Sequence, residues 1–243
     1  MELKHKRIVI TGGTSGIGLE VVKALEGDNE VIVIARDQHK LDDLEAQYAG
    51  VTTYCCDLSQ INEVLECISR IAARYSHIDM LINNAAIQYP AKFIDKDFDP
   101  ATIAIEINTN FTAVCLLTHG LLPLLQQSSE GRIVNVNTGL ALAPKSASAV
   151  YCATKAAMHS FSQSLHHQLQ GTPVKVTQAF MPLVDTPMTA GRGSKKISAA
   201  QAVEEMLNGI RNDVRAQDIG KVKLLRWLLR LAPNTAKKIM VNA

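Results

Sequence analysis

The chain has 243 residues, a formal net charge of +2, 47% apolar and 20% charged side chains. That composition excludes a disordered or collagen-like chain, and it gives no global basic field of the kind a nucleic-acid binder carries. The length allows a substantial core in one large α/β domain. No uninterrupted apolar run reaches the length of a membrane span, and the polar start from Met1 to Arg7 leads to the expectation of no signal peptide. The five cysteines form no C-x-x-C pair and no even-numbered framework. Reduced thiols in a cytoplasmic protein are therefore expected.

In chain order, an apolar run, Ile8-Val9-Ile10, leads into Thr11-Gly12-Gly13-Thr14-Ser15-Gly16-Ile17-Gly18. An amphipathic segment with Ile17, Val21, Val22 and Leu25 leads out. A strand, a glycine turn and a helix in that order aim backbone N–H groups and the positive helix end at an anion. Gly12 is expected to allow the tight turn, Gly16 to let a pyrophosphate approach the backbone, and Gly18 to let helix and strand pack closely. The spacing departs from the literal G-x-G-x-x-G pattern, and a glycine-rich turn without a ligand would read alike. Its position on the first strand of a βαβ run favours nucleotide binding.

Residues 31–35 read as a second buried strand, 38–47 as a helix, 52–56 as a third strand, and 60–75 as a helix with Ile61, Val64, Leu65, Ile68 and Ile71 on one face. A fourth strand at 80–82, a long helix at 102–125, a fifth strand at 133–136, a small-residue helix at 150–170 and a sixth strand at 174–180 follow. This alternation predicts a single domain, 1–243, of the α/β class: a Rossmann-like doubly wound parallel sheet with helices on both faces. Asp57, Asn83-Asn84, Asn137-Thr138 and Pro182 to Thr186 then follow strands three to six along one edge. Polar residues at strand ends commonly just start turns, but open parallel sheets also bind their ligands at that edge.

Tyr151 and Lys155 lie four apart on the predicted helix, on one face and one turn from each other. A free tyrosine titrates near 10, too high for efficient acid–base work at neutral pH. A neighbouring ammonium favours the phenolate and is expected to bring Tyr151 down. Lys155 can also donate to a ribose hydroxyl, and the hydroxyl of Thr138 can donate or accept beside the tyrosine. An ordinary surface Tyr/Lys pair is the plainer account of the spacing alone.

With these residues together, the chain resembles the classical short-chain dehydrogenases/reductases from about Arg7 to Met188. The motifs are the glycine turn 11–18, Asp57-Leu58, Asn83-Asn84-Ala85-Ala86, Asn110, Tyr151-x-x-x-Lys155 and Pro182-x-x-x-Thr186. The resemblance implies an oxidoreductase acting on a small-molecule carbonyl/alcohol pair, with Tyr151 as acid/base and Lys155 on the nicotinamide ribose. It implies that Asn110 marks a helix kink holding a water that links Lys155 to a proton relay. It also implies that Asn84 lies near the adenosine ribose, Asp57 and Leu58 near the adenine, and Val184 and Thr186 beside the nicotinamide after Pro182. Thr138 stands where the family usually has serine, Ala86 and Leu183 where it usually has glycine. Bulk at Leu183 is expected either to narrow the nicotinamide pocket or to shift the backbone there. The carboxyl-terminal part, around 180–186 and 220–233, is more weakly similar to the DltE-type subgroup.

At the end of the second strand, Ala35-Arg36-Asp37 decides the cofactor. Arg36 suits a 2′-phosphate and favours NADP(H), with Thr14 and Ser15 assisting; Asp37, unless it only starts a helix, would keep NAD(H) open. Gln88, Tyr89, Phe93, Leu140, Leu142, Met181 and Met188 are candidate pocket residues, and 187–212 is a candidate substrate lid, basic at Arg192, Lys195 and Lys196. Ser198 looks like a helix N-cap, with Gln201 at the capping-box position. His159, His166 and His167 share a helix without a carboxylate or cysteine to complete a ligand set, so no metal is expected.

A homodimer or homotetramer through the 150–170 and 102–125 helices is expected, mainly on the family resemblance. Segment 220–243 reads as an amphipathic helix ended by Pro233. It offers membrane-surface contact between Lys221 and Leu231, or apolar packing on the domain or across a dimer, and the packing account is preferred. Beside the enzyme stands an alternative, an NADP(H)-binding regulatory or membrane-associated protein with little turnover.

Overall fold

The computed structural model describes residues 1–241. The strands are β1 Arg7–Thr11, β2 Glu30–Ala35, β3 Val51–Cys55, β4 Met80–Asn83, β5 Arg132–Thr138, β6 Lys175–Met181, β7 Val184–Asp185, β8 Ile197–Ser198 and β9 Ala216–Asp218. The helices are α1 Gly16–Leu25, α2 Gln38–Gln47, α3 Ile61–Arg74, α4 Ala101–Ile107, α5 Ala113–Leu125, α6 Ala149–Gln168, α7 Ala199–Arg211, α8 Val222–Leu231 and α9 Pro233–Met240. Seven strands form one parallel sheet in the order β3-β2-β1-β4-β5-β6-β9, and β7 pairs with β8 apart from it. The order reverses at β1, so β1 lies between β2 and β4 and the crevice opens there.

Period two along the strands divides the core between the two faces of the sheet. Ile8, Ile10, Val31 and Val33 face Val21, Val22 and Leu25 of α1, Leu41 and Leu44 of α2, and Val203, Met206 and Ile210 of α7. Val9, Ile32 and Ile34 face Val64, Ile68 and Ile71 of α3, Leu117 and Leu121 of α5, and Leu165 of α6. The predicted six-strand doubly wound sheet is thus present with a seventh strand added. β9 escapes sequence reading because its three residues, Ala216-Gln217-Asp218, carry no alternation; pairing with β6 specifies it.

Three further differences have local causes. The continuous helix read at 102–125 is broken by a π turn, Asn108–Thr112. Residues 101–125 together are long and apolar enough to pass for a membrane span by length and composition. Yet Ala113, Leu117, Leu121 and Leu125 are buried on the sheet, so this is a core helix. Pro233 does end α8, as read, but it also starts α9 at a first-turn position, where its missing N–H costs nothing. The last two residues of the 220–243 segment lie outside the described residues. Within 187–212, α7 packs into the core through Ala202, Val203, Met206, Leu207 and Ile210, which leaves 187–196 as the connection from β7 to β8. Ser198 accepts from the Gln201 N–H at 3.1 Å, as its N-cap reading requires.

A Cβ on Gly18 would lie 2.1 Å from the Gly12 carbonyl oxygen, and backbone cannot step aside as a side chain can. Gly18→Ala is expected to lower the urea unfolding midpoint by the equivalent of about 1–3 kcal/mol. Gly27→Ala, which meets nothing within 4 Å, is expected to stay within about 0.5 kcal/mol of the parent.

Candidate active site

The glycine turn is held from the β4 side. Asn84 Nδ2 donates to the carbonyls of Thr11 (2.9 Å) and Gly12 (3.2 Å), and Thr11 Oγ1 accepts from the N–H groups of Asn84 and Ala85, both at 3.0 Å. Gly12 has φ +71° and Gly16 φ +54°, conformations that a side chain would strain. Ser15 caps α1 with an extended backbone while its hydroxyl makes no cap bond, so that hydroxyl and the positive helix end both serve the cleft.

One cleft gathers the sequence-named residues. Gly12, Thr14, Ser15, Gly16, Ile17 and Gly18 line it with Arg36, Asp57, Leu58 and Asn84, and with Thr138, Tyr151, Lys155, Pro182, Val184 and Thr186. Asn110 lies behind it, fully buried in the π turn. Its amide exchanges two 2.9 Å hydrogen bonds with the Ile87 backbone and donates to Thr154 Oγ1 at 3.3 Å, one residue before Lys155. These residues fit a dinucleotide: a helix N-terminus over a glycine turn for the pyrophosphate, and a free cation at the β2 end.

That cation is Arg36. Asp37 is engaged as the N-cap of α2, accepting from the Lys40 N–H at 3.3 Å and pairing with Lys40 Nζ at 3.4 Å. The backbone hydrogen bond is the main reason its carboxyl is held below the usual range. Among the described residues no carboxylate pairs with the Arg36 guanidinium, which is exposed at the cleft. Lys40, which the sequence reading did not single out, lines the cleft beside it. Its signal was a cation in the first turn of α2, the helix that starts two residues after Arg36.

At the other end, Lys155 is buried and its Nζ donates to the Val136 carbonyl at 3.0 Å. It stands 5.9 Å from the centre of the Tyr151 ring. The Thr138 hydroxyl accepts from the Leu140 N–H at 3.3 Å. The expected lowering of Tyr151 does not occur in this geometry. Burial pushes the phenol up, with the charges of Cys152 and Glu106 adding to the effect, and burial also brings Lys155 down, to about 8. Desolvation wins because the ammonium points at a carbonyl rather than at the phenol.

Leu183 also differs from expectation. Its side chain turns out against the loop, where a Cβ on Gly193 would lie 2.5 Å from it, and it does not line the cleft. Glu106 is a buried carboxylate that the sequence reading missed, although it lies one turn before Asn110. It accepts from the Tyr89 N–H at 3.2 Å, and burial raises its proton affinity. From the 187–196 segment, Arg192 reaches Gln88 across the mouth. Met181 and Met188 line the cleft, while Phe93 stacks on Phe98 and is exposed.

The sequence matches the short chain dehydrogenase family over residues 6–197. The chain belongs to that family of oxidoreductases. It is 35% identical over 218 residues to the oxidoreductase DltE of Bacillus subtilis, covering 87% of this chain and 86% of that one. In fold it is similar to a short chain dehydrogenase from Burkholderia cenocepacia in complex with NADP, with a TM-score of 0.89 at 22% identity over 100% of both chains. A second similar fold is a short chain dehydrogenase/reductase from Burkholderia phymatum in complex with NAD, with a TM-score of 0.84 at 19% identity over 100% of this chain and 97% of that one.

The lowered Lys155 has a consequence for stability. Between about 8 and the ordinary 10.5, the unfolded chain holds the lysine proton and the folded chain does not, so stability from this group rises with pH. The unfolding free energy of the parent, minus that of Lys155→Met, is expected to grow by about 2 kcal/mol from about pH 8 to pH 10. Urea titrations at both pH values check this, and a flat difference counts against a depressed lysine.

Proposed function

We propose that the protein is an NADP(H)-dependent oxidoreductase that interconverts a carbonyl and a secondary alcohol on a small molecule. The observation that carries this reading is a single cleft with Tyr151, Lys155 and Thr138 at one end and the unpaired Arg36 at the other. When bound, the dinucleotide supplies or accepts the hydride. Gly16 and Ile17, at the helix N-terminus shaped by Gly12 and Gly18, would hold its pyrophosphate, Arg36 with Thr14, Ser15 and Lys40 its 2′-phosphate, and Asp57 and Leu58 its adenine side. Asn84 fixes the turn that carries the phosphates, while Pro182, Val184 and Thr186 border the nicotinamide side. NAD(H), which lacks the phosphate, is the weaker ligand.

In the reducing direction Tyr151 Oη gives its proton to the carbonyl oxygen, and Thr138 Oγ1 donates a hydrogen bond to the same oxygen. Burial keeps the phenol protonated until that oxygen becomes basic, and the Lys155 ammonium then steadies the phenolate left behind. Asn110 acts as a positioning residue, tying the π turn to Thr154 and so to the helix that carries Lys155. The protein works as a homodimer or homotetramer through the α4–α5 and α6 helices, in the cytoplasm, where its five unbridged cysteines stay reduced.

One observation favours the second reading, a nucleotide-binding protein with little turnover: the Lys155 ammonium donates to the Val136 carbonyl and not to Tyr151. A carbonyl panel followed by NADPH absorbance separates the two. Tyr151→Phe is expected to lower kcat by about 10²–10⁴-fold while NADPH affinity is kept. Tight NADPH binding with no parental turnover on a broad panel would support the second reading.

Arg36→Ala is expected to weaken NADPH binding by about 10–100-fold, the loss of a charged hydrogen-bonded contact, and to change NADH binding little. Titration of both cofactors against parent and variant checks this; equal losses would remove Arg36 from the choice.

A further inference from the structure

α8 and α9 are fixed to the body at several points. Val222 and Ala236 are buried, and Arg226 pairs with Asp218 through two hydrogen bonds of 2.6 and 2.7 Å while lying over the Phe180 ring. A Cβ on Gly139 would meet Leu225 at 3.1 Å and Val222 at 3.5 Å, so α8 packs on the turn that follows Thr138. The Ser146 N–H donates to the Val241 carbonyl at 2.9 Å, tying the end of α9 to the loop after β5.

This anchoring uses only one side of α8. Leu224, Trp227 and Leu231, spaced three and four apart, share the opposite side and are 61%, 62% and 73% exposed. Ile239 on α9 is 59% exposed. The preferred account from sequence is apolar packing on the domain or across a dimer; within the chain, packing on the domain holds for Val222 and its neighbours. Elsewhere on the surface, exposed apolar residues occur on the loops that follow β4, as Phe93 and Ile94, and β6, as Leu183 and Met188.

The charge that α8 and α9 themselves carry is of one sign. Residues 219–241 contain Lys221, Lys223, Arg226, Arg230, Lys237 and Lys238 and no acidic residue. Arg226 and Lys223 pair with Asp218 and Glu205. Among the described residues, Lys221, Arg230, Lys237 and Lys238 form no ion pair. A second copy of this face would bring the same cations, so self-association here is opposed by charge. An anionic lipid surface supplies both the negative charge and the apolar depth.

We propose that the α8–α9 pair is a docking surface for an anionic lipid bilayer, with Leu224, Trp227 and Leu231 entering the headgroup boundary and the basic residues meeting the lipid charge. The surface adjoins the turn after Thr138, at the edge where the cleft opens. The proposal does not depend on turnover and is tested without it.

Trp227 is the single tryptophan of the chain, so its emission reports on this face alone. The test is flotation of the full chain with vesicles of phosphatidylcholine, with and without phosphatidylglycerol, together with Trp227 emission. The parent is expected to float with the anionic vesicles, to come off as salt is raised, and to shift its emission to shorter wavelength. Lys237→Glu with Lys238→Glu should reduce partitioning at least about tenfold. Leu224→Glu with Leu231→Glu should abolish the emission shift, with thermal unfolding and oligomeric size unchanged. The charge reversal falls on exposed lysines and keeps the test readable if the leucine pair fails to fold. Absence of the parent from the anionic vesicle fraction, or equal binding to neutral vesicles, overturns the proposal. So does a parental dimer that the leucine pair breaks, since the face would then be covered by a second copy.

Discussion

The close passage of α1 over the end of β1 is the constraint on which the rest of the cleft depends. Gly18 must come so near the Gly12 carbonyl that no Cβ fits, and Asn84 locks the same turn from β4. With that contact made, the helix N-terminus is seated over the switch point of the sheet, and β2 and β4 leave β1 on opposite sides. Arg36 at the end of β2 and the Ala85–Ile87 stretch after β4 are then carried to the two flanks of one crevice. A helix dipole, a free guanidinium and a floor of strand ends meet there because of a steric fact two glycines long.

A second constraint, dryness, governs the other end of the crevice. Tyr151 and Lys155 are both buried, and burial acts oppositely on an acid that becomes charged and a base that loses charge. The phenol goes up and the ammonium comes down, so each is driven toward its neutral form. The same low dielectric strengthens any hydrogen bond to a developing oxyanion. The backbone around the pair is correspondingly rigid: Val136 holds Lys155, Asn137 accepts from the Thr138 N–H, and Asn110 ties the π turn to Thr154.

The parts of this arrangement legible in sequence are those with local signals. Glycines between a strand pattern and a helix pattern, and Tyr151 one turn from Lys155, announce themselves by type and spacing. The π turn does not, because one added residue leaves the apolar content of 101–125 unchanged and only rotates the face that follows it. β9 is defined by its partner, not its composition. Pro233 reads as a stop because proline ends helices more visibly than it begins them. Lys40 carries no motif of its own, and the turning of Leu183 away from the cleft is set against a loop glycine, Gly193, that no motif connects to it. The direction of the Tyr151 shift was unreadable for a deeper reason: the spacing shows that a cation is near but not which acceptor it faces.

What distinguishes this chain from a generic doubly wound sheet lies in the same edge, beyond the core. Parallel strands place every crossover exit on one side, so insertions and carboxyl-terminal additions at that edge reach the crevice without disturbing the two packed layers. The 187–196 segment and α8–α9 are such additions, joined to the end of the crevice that holds Tyr151 by Gln88, Gly139 and Ser146. Their sequences are therefore free to carry apolar and basic side chains outward, while any side chain added at Gly12 or Gly18 must strain or displace the turn. Rigidity at the phosphate end and latitude at the mouth follow from one topology.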